Sequence, residues 1–565
     1  MNYRWINREC TNENAVQQII DELQVPAPIA RVLVGRGIDT IESVHRFFEP
    51  SLDMLYSPWL MDGMELAVDR IESAIANNQL IWIHGDYDVD GTASAAMVLH
   101  FLRRIGARAD YHIPSRLEEG FGFTPLSVER AREAGASVVV TVDVGVTASR
   151  AVDRANELGI DVIVCDHHQA AEEIPNALAI LDPIKPGCKY PFKGLAACGV
   201  AFKFLQALAE RRGEPELAYE YLDFVAIASA ADIAPLLDEN RILSHFGLEL
   251  LNSYPRAGFK GLVDCAGLHL GQLTNASVIF GLAPRINAAG RLGDPRRAVE
   301  MMIQSDELKA FRIAQELEHD NRQRRSIDEH TFEEAAVQAE AQLVSASGRS
   351  LVLHSDDWHA GVIGIVASRL VERYHVPSVM LTTIDGIAKG SARSVKDFDI
   401  HGALKQCEDL LVEFGGHKHA AGLSLSVDRI PELQARFDKI ASDALTADQL
   451  RPEIVIDAEL QLNELTPNFF KFLTMFAPYG YKNHRPVFHT SHVVSANGVK
   501  IVGNNHLKFR AFQRNFAIDA IGFNLGHRIN DCTNGKPFSL VYTLEENVFH
   551  GTSTPQLRIK DLRPD

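Results

Sequence analysis

The sequence predicts a multidomain α/β protein whose C-terminal part is a separate β-barrel, and three observations predict it. From residue 80 to about residue 303, short β-branched runs alternate with amphipathic helical stretches, the pattern of βαβ units that build a mostly parallel sheet. After Leu450-Arg451-Pro452 the pattern changes to alternating strands punctuated by turn signals such as Asn497-Gly498 and Asn504-Asn505. Between these regions, residues 305–345 are charged and almost free of helix breakers, which predicts a long connecting helix.

Taken in order, residues 1–45 read as a helical lead-in and 46–304 as the first α/β lobe. Its clearest strands are 80–85, 136–142, 161–165 and 177–181, short and predominantly apolar runs. Residues 346–446 form a second, smaller α/β lobe opening at Ser350-Leu351-Val352-Leu353-His354, and 447–565 form the barrel. A chain of 565 residues is long enough for such a division. Apolar content of 46% and charged content of 23% are those of an ordinary globular protein. No apolar run is long enough to cross a bilayer, and Met1-Asn2-Tyr3-Arg4-Trp5 opens no signal-peptide core, so no membrane role is expected. Seven scattered cysteines without a C-x-x-C pair argue against a zinc ribbon or redox dithiol, and a reducing cytoplasm is the expected compartment. The net charge of −18 is uneven: residues 451–565 carry 13 Lys+Arg against 10 Asp+Glu, which leaves −21 on the first 450 residues. An acidic body with a mildly basic tail module is compatible with carboxylates gathered around metal ions and with a polyanionic substrate.

The most informative segment is Ile81-Trp82-Ile83-His84-Gly85-Asp86-Tyr87-Asp88-Val89-Asp90-Gly91, an apolar strand ending in a histidine and three alternate carboxylates. So many like charges in five residues repel one another unless a divalent cation reverses the local field. The first half of a calcium loop has the same spacing, but its twelfth position must supply a bidentate glutamate and here is Met97. Three further elements end alike. One strand ends in Asp143, another in Asp166-His167-His168, and an apolar run read as helix delivers Asp232. A lone Asp after a strand is usually a turn or cap residue; four such features in succession indicate a site at the C-terminal edge of an open sheet. Carboxylate and imidazole without thiolate suit Mn²⁺ or Mg²⁺.

His84-x-x-x-Asp88-x-Asp90, Asp143, Asp166-His167-His168 and Asp232 resemble, in order and spacing, the four motifs of the DHH phosphoesterases. The resemblance implies a pair of divalent ions, Mn²⁺ or Mg²⁺. It assigns His84 and Asp88 to one ion and Asp90, His167 and Asp232 to the other, with Asp143 bridging. It also implies that His168 faces the substrate phosphate, that Asp166 works beside Asp143 and His168 in the catalytic group, and that Asp86 supports the ligands. Val144 stands where family members commonly carry a polar residue. In the second lobe, Lys389-Gly390-Ser391-Ala392-Arg393-Ser394 and Phe414-Gly415-Gly416-His417 resemble the DHHA1-type domain that accompanies such lobes, which implies phosphate contacts from Ser391, Arg393 and His417. Residues 283–292 and 358–369 are similar to the exonuclease branch of the superfamily, and would bring Arg285, Asn287 and Arg291 to the DNA.

This branch hydrolyses single-stranded DNA from 5′ to 3′, releasing 5′-mononucleotides in recombination and repair. The resemblance implies a monomer, a channel between the lobes too narrow for a duplex, and single-strand-binding protein and a RecQ-like helicase as partners. The tail supports it independently. His506-Leu507-Lys508-Phe509-Arg510 alternates, so a strand would present Lys508 and Arg510 on one face of an OB-like barrel able to hold a single strand. Two rivals remain open on the sequence alone. A phosphodiesterase for oligonucleotides or cyclic dinucleotides would have no use for the extra module after Arg451. A non-catalytic DNA-binding relative would have no need of the complete ligand set.

Overall fold

The computed structural model describes residues 3–115, 122–345, 348–533, 535–549 and 552–565. The chain forms two compact units. One comprises residues 7–318 and 455–565; the other comprises 1–6 and 319–454.

In the larger unit, five parallel strands build the lobe sheet: β1 (Leu80–Gly85), β2 (Ala109–His112), β3 (Ala136–Val142), β4 (Asp161–Cys165) and β5 (Ala179–Leu181), in the order β2-β1-β3-β4-β5. All of β1 is buried, as is β3 apart from one half-buried residue, which explains their near-continuous Val/Ile composition rather than an alternating one. Five helices surround or support the edge of this sheet: α1 (Val89–Arg104), α2 (Ala197–Arg211), α3 (Leu222–Ala231), α4 (Asp238–Ser253) and α5 (Ala283–Leu292). Of these, α1, α2 and α3 are apolar nearly all round because they form the centre of the lobe's core. Val144, the departure from the family pattern, packs in the apolar cluster with Val146, Val152 and Val164.

The other unit holds a five-stranded sheet of β6 (Leu351–His354), β7 (Ser378–Ile384), β8 (Ile387–Arg393), β9 (Leu411–His417) and β10 (Ala420–Ser426), in the order β9-β10-β8-β7-β6. The long helix Glu307–Ser345 enters this unit at residue 319; its Ala335 and Ala339 pack with Leu351, Trp358 and Val366.

The C-terminal module belongs to the larger unit. It is a barrel of β11 (Val487–Val502), β12 (His506–Gln513), β13 (Phe516–Gly522), β14 (Phe538–Phe549) and β15 (Thr552–Pro564), closed by pairing of β11 with β14. The helices Glu13–Leu23, Ala27–Gly35 and Ile41–Phe48 share one core with this barrel: Ile19, Leu33 and Phe47 belong to the same buried cluster as Phe469, Phe488 and Tyr542. The N-terminal segment is thus a part of the barrel's core and not a free-standing lead-in. A buried arginine ties barrel to lobe. The Arg241 guanidinium on α4 donates to the carbonyls of Phe47 (2.8 Å), Met475 (2.7 Å), Phe476 (2.9 Å) and Ala477 (2.9 Å), and lies 4.0 Å from the centre of the Phe47 ring. No described helix is long and apolar enough to cross a membrane.

Candidate metal centre

The C-terminal ends of β1, β3 and β4 and the end of α3 converge. Asp86 and Asp88 follow β1, Asp143 follows β3, His167 and His168 follow β4, and Asp232 caps α3. Their ligand atoms form three groups within 4.8 Å: Asp86–Asp88–Asp143, Asp90–His167–Asp232 and Asp143–His167–His168. His167 joins them, with Nε2 3.2 Å from Asp143 Oδ1 and Nδ1 3.9 Å from Asp232 Oδ2.

Local structure explains each position. Asp88 is the N-cap of α1, its carboxylate accepting from the amides of Asp90 (2.9 Å) and Gly91 (3.1 Å). Gly91 must lack a side chain, because a Cβ there would lie 2.5 Å from the backbone of Asp86. Asp90 is held by the start of α2, where the amides of Ala197 (2.8 Å) and Cys198 (2.9 Å) donate one to each of its oxygens. Asp143 adopts φ 64°, the left-handed region that Asp tolerates better than most residues. Its amide donates to Cys165 O (3.0 Å).

The electrostatics demand a cation. Burial, then the charge of Asp232, pushes the Asp90 carboxyl well above its ordinary range; burial, then Asp90, does the same to Asp143. Burial and the neighbouring Asp88 raise Asp232 to about 7. His167 is pushed down to about 4 by burial, so it is a neutral imidazole suited to ligation. Hard oxygen donors with one neutral imidazole fit Mn²⁺ or Mg²⁺, whose charge would reverse the repulsion among the carboxylates.

Asp166 and His168 form a second pair. Asp166 Oδ1 accepts from the amides of His167 (2.7 Å) and His168 (3.2 Å) and lies 2.7 Å from His168 Nδ1, while Oδ2 accepts from the Val146 amide (3.0 Å). Burial opposes its ionisation, but the His168 bond and charge outweigh this and hold the carboxyl below its usual range. The same bond raises His168 to about 9, so that ring carries a proton at neutral pH.

The structure places the other site residues expected from the sequence as follows. Asp86, expected to support the ligands, offers a ligand atom together with Asp88 and Asp143. His84 is fully buried, with Nε2 3.3 Å from Gly122 O and its ring beside Phe123. Both oxygens of Asp166 are taken up by hydrogen bonds, and one of them faces His168 Nδ1. Arg285, expected at the DNA, is buried, and its Nε lies 2.7 Å from Glu318 Oε2 at the start of the long helix. Asn287 Oδ1 accepts from the Val89 amide (3.1 Å), and Gly290 comes so close that a Cβ would lie 2.7 Å from Tyr87 O. The Arg285–Arg291 segment therefore braces the ligand loop, with Arg291 half-buried in its last turn. The amides of Ala197 and Cys198 were invisible to sequence reasoning, because a helix start without a capping side chain leaves no signature.

In the smaller unit, strand register brings together the phosphate-facing candidates. Arg393 pairs with Ala420, which pairs with His417; Ser391 pairs with Gly422, which pairs with Gly415. Directly paired residues share a face, so Ser391, Arg393 and His417 lie on one face beside a strip bare of side chains. Arg393 Nη1 donates to Ser391 Oγ (3.0 Å). Gly364, in the first turn of the helix Ile363–Tyr374, allows their approach, since a Cβ there would lie 2.9 Å from Ser391 Oγ and 3.2 Å from Arg393 Nη2. A guanidinium and a hydroxyl at a helix N-terminus form an anion-binding arrangement. On the barrel, Lys508 and Arg510 are exposed while Leu507, Phe509 and Ala511 are buried.

Residues 80–229 match the DHH family, N-terminal domain; 346–443 match the DHHA1 domain; and 456–561 match the RecJ OB domain. The single-stranded-DNA-specific exonuclease RecJ of Bacillus subtilis (strain 168) is 36% identical over 97% of this chain and 70% of that protein. The protein of the same name from Dickeya dadantii (strain 3937) is 35% identical over 96% of both. Among solved structures, RecJ in complex with Mn²⁺ from Thermus thermophilus superposes with a TM-score of 0.85 at 28% identity, over 100% of this chain and 80% of that one. The chain belongs to the RecJ family of DHH phosphoesterases.

Proposed function

We propose that the protein is a metal-dependent exonuclease specific for single-stranded DNA, acting in recombination and repair. The observation that carries the reading is the convergence of five carboxylates and His167 at the sheet edge, with Asp90 and Asp143 so buried and so crowded by other carboxylates that neither ionises readily. Asp86, Asp88 and Asp143 would hold one divalent ion, and Asp90, His167 and Asp232 the other, with Asp143 close enough to His167 to serve both. When bound, such ions supply a nucleophile at neutral pH and neutralise charge on the phosphate. The chain's own groups do the remaining work. His168, protonated and oriented by Asp166, is 43% exposed and can donate to a phosphate oxygen. Ser391, Arg393 and His417 bind backbone phosphate in the smaller unit, and Lys508 and Arg510 bind backbone phosphate on the barrel.

On this reading, cleavage runs from the 5′ end and releases 5′-mononucleotides. The enzyme is a cytoplasmic monomer partnered by single-strand-binding protein and a RecQ-like helicase. Strands labelled at the 5′ or the 3′ end, single or annealed, with Mn²⁺ or chelator, test the proposal. Early release of 5′ label as mononucleotide, from single strands alone and only with metal, is the expected result. Equal cleavage of blunt duplex, or release of 3′ label first, contradicts it.

A further inference from the structure

Ile233, the residue after the metal-ligand candidate Asp232, has φ 56°. Twelve described residues other than glycine have positive φ, and Ile233 is the one apolar, β-branched side chain among them. The turn ending α3 explains the geometry. Ile233 N donates to Ala230 O (3.3 Å) and Ala234 N to Ser229 O (3.0 Å), a helix ending whose left-handed position glycine or asparagine normally fills. A β-branched residue there is an outlier. The loop keeps it there. Leu236 N donates to Tyr481 O (2.8 Å), Asn240 Nδ2 to Pro235 O (3.0 Å), and Arg241 pins the next helical turn. Strain of this kind persists only where the surroundings over-determine it, and it concentrates at functional sites.

The side chain does not stabilise the fold by packing, because Ile233 is 58% exposed. Its backbone adjoins that of Asp232, whose carboxylate lies 3.9 Å from His167. The fold therefore holds an apolar, branched, water-exposed group in a costly conformation on the residue that follows a metal-ligand candidate. Resting on the function proposed above, we propose that Ile233 is an apolar wedge that meets the nucleobase of the nucleotide being cleaved. Aliphatic side chains act in this way elsewhere, entering between bases and unstacking them. An unpaired terminal base can swing against Ile233, whereas a paired one cannot, so the wedge contributes to single-strand specificity.

The test compares wild type with Ile233→Gly, Ile233→Asn and Ile233→Val on Mn²⁺-dependent cleavage of two single strands, one normal and one with an abasic terminal nucleotide. Gly and Asn should leave the melting temperature equal or higher and Mn²⁺ binding unchanged, while lowering kcat/KM on the normal strand by about three- to tenfold. Wild type should lose a similar factor on the abasic strand, where wild type and variants should converge. Val should track wild type throughout. Unchanged activity of the Gly and Asn variants overturns the proposal, as does an equal loss on both strands. A fall in Mn²⁺ binding assigns Ile233 to holding Asp232, and a fall in melting temperature assigns it to the fold; either result overturns the wedge. A wild type inactive on both strands defeats the functional reading first, which is a distinguishable failure.

Discussion

The lobe's metal centre and the barrel's cationic strand both carry dense charge, yet they stand in opposite environments. Asp90 and Asp143 are almost wholly buried among other carboxylates, whereas Lys508 and Arg510 alternate with core residues and point into water. A buried like-charge cluster is costly in the absence of a counter-ion, so it is strong evidence for a cation. An exposed cationic row costs nothing to keep, so it is much weaker evidence for a ligand. The contrast ranks the expected effects of mutation.

Asp143→Ala should be the most severe. Its carboxylate belongs to two of the three ligand groups, so its loss should reduce Mn²⁺-dependent cleavage to the assay background while the protein still folds cooperatively. Near-normal cleavage at saturating Mn²⁺ would sink the shared-ligand assignment. Arg393→Ala should follow, with a loss of about ten- to a hundredfold in kcat/KM, the worth of a charge-assisted hydrogen bond of about 1.5–3 kcal/mol. Its Mn²⁺ binding should equal that of wild type, and a weakened metal site would show the residue to be misassigned.

Asn287→Ala removes the acceptor for the Val89 amide and should cost only about two- to tenfold, the range of a neutral hydrogen bond. The loss should fall on kcat with little change in KM for DNA, the signature of a residue that braces the ligand loop. A pure KM effect would return the residue to the DNA-contact role. The smallest effect belongs to the barrel. Lys508→Ala with Arg510→Ala should weaken binding of long strands alike for every sequence and lower the salt slope by about 0.7 for each phosphate no longer neutralised. Binding is best measured without metal. Identical slopes for wild type and the double variant would leave this strand as a solvated surface.

The same contrast governs how much of the molecule is legible in its sequence. Carboxylates at the ends of β1, β3 and β4 were visible because an apolar run that stops at an Asp leaves a clear pattern, and the parallel lobe and closing barrel were visible as two different periodicities. The groups that aim each carboxylate were not. Asp86, Asp88 and Asp90 alternate in sequence, but their directions are set by the α1 cap, by the amides of Ala197 and Cys198, and by α5 behind the loop. These partners lie up to 198 residues away in sequence and act partly through backbone, which has no sequence signature. The surroundings of Arg285 were hidden for a related reason, because its partner Glu318 lies on another helix and the sequence does not mark the pairing. The N-terminal segment was legible as helical, but its place in the barrel's core was not, because its partners Phe469, Phe488 and Tyr542 lie at the other end of the chain. Deleting the barrel would therefore expose that core and strip the carbonyl partners from Arg241, so point substitutions on β12 are the cleaner test of its role.

On the proposed function, the buried carboxylates hold metal, while the basic groups of the smaller unit serve the substrate. Titrating metal-free protein with Mn²⁺, followed by the paramagnetic signal of the free ion, tests it most directly in wild type, Asp143→Ala and Arg393→Ala. Wild type and Arg393→Ala should each take up a pair of ions per chain, and Asp143→Ala should lose that capacity. Full uptake by Asp143→Ala, or loss of uptake by Arg393→Ala, would contradict the account.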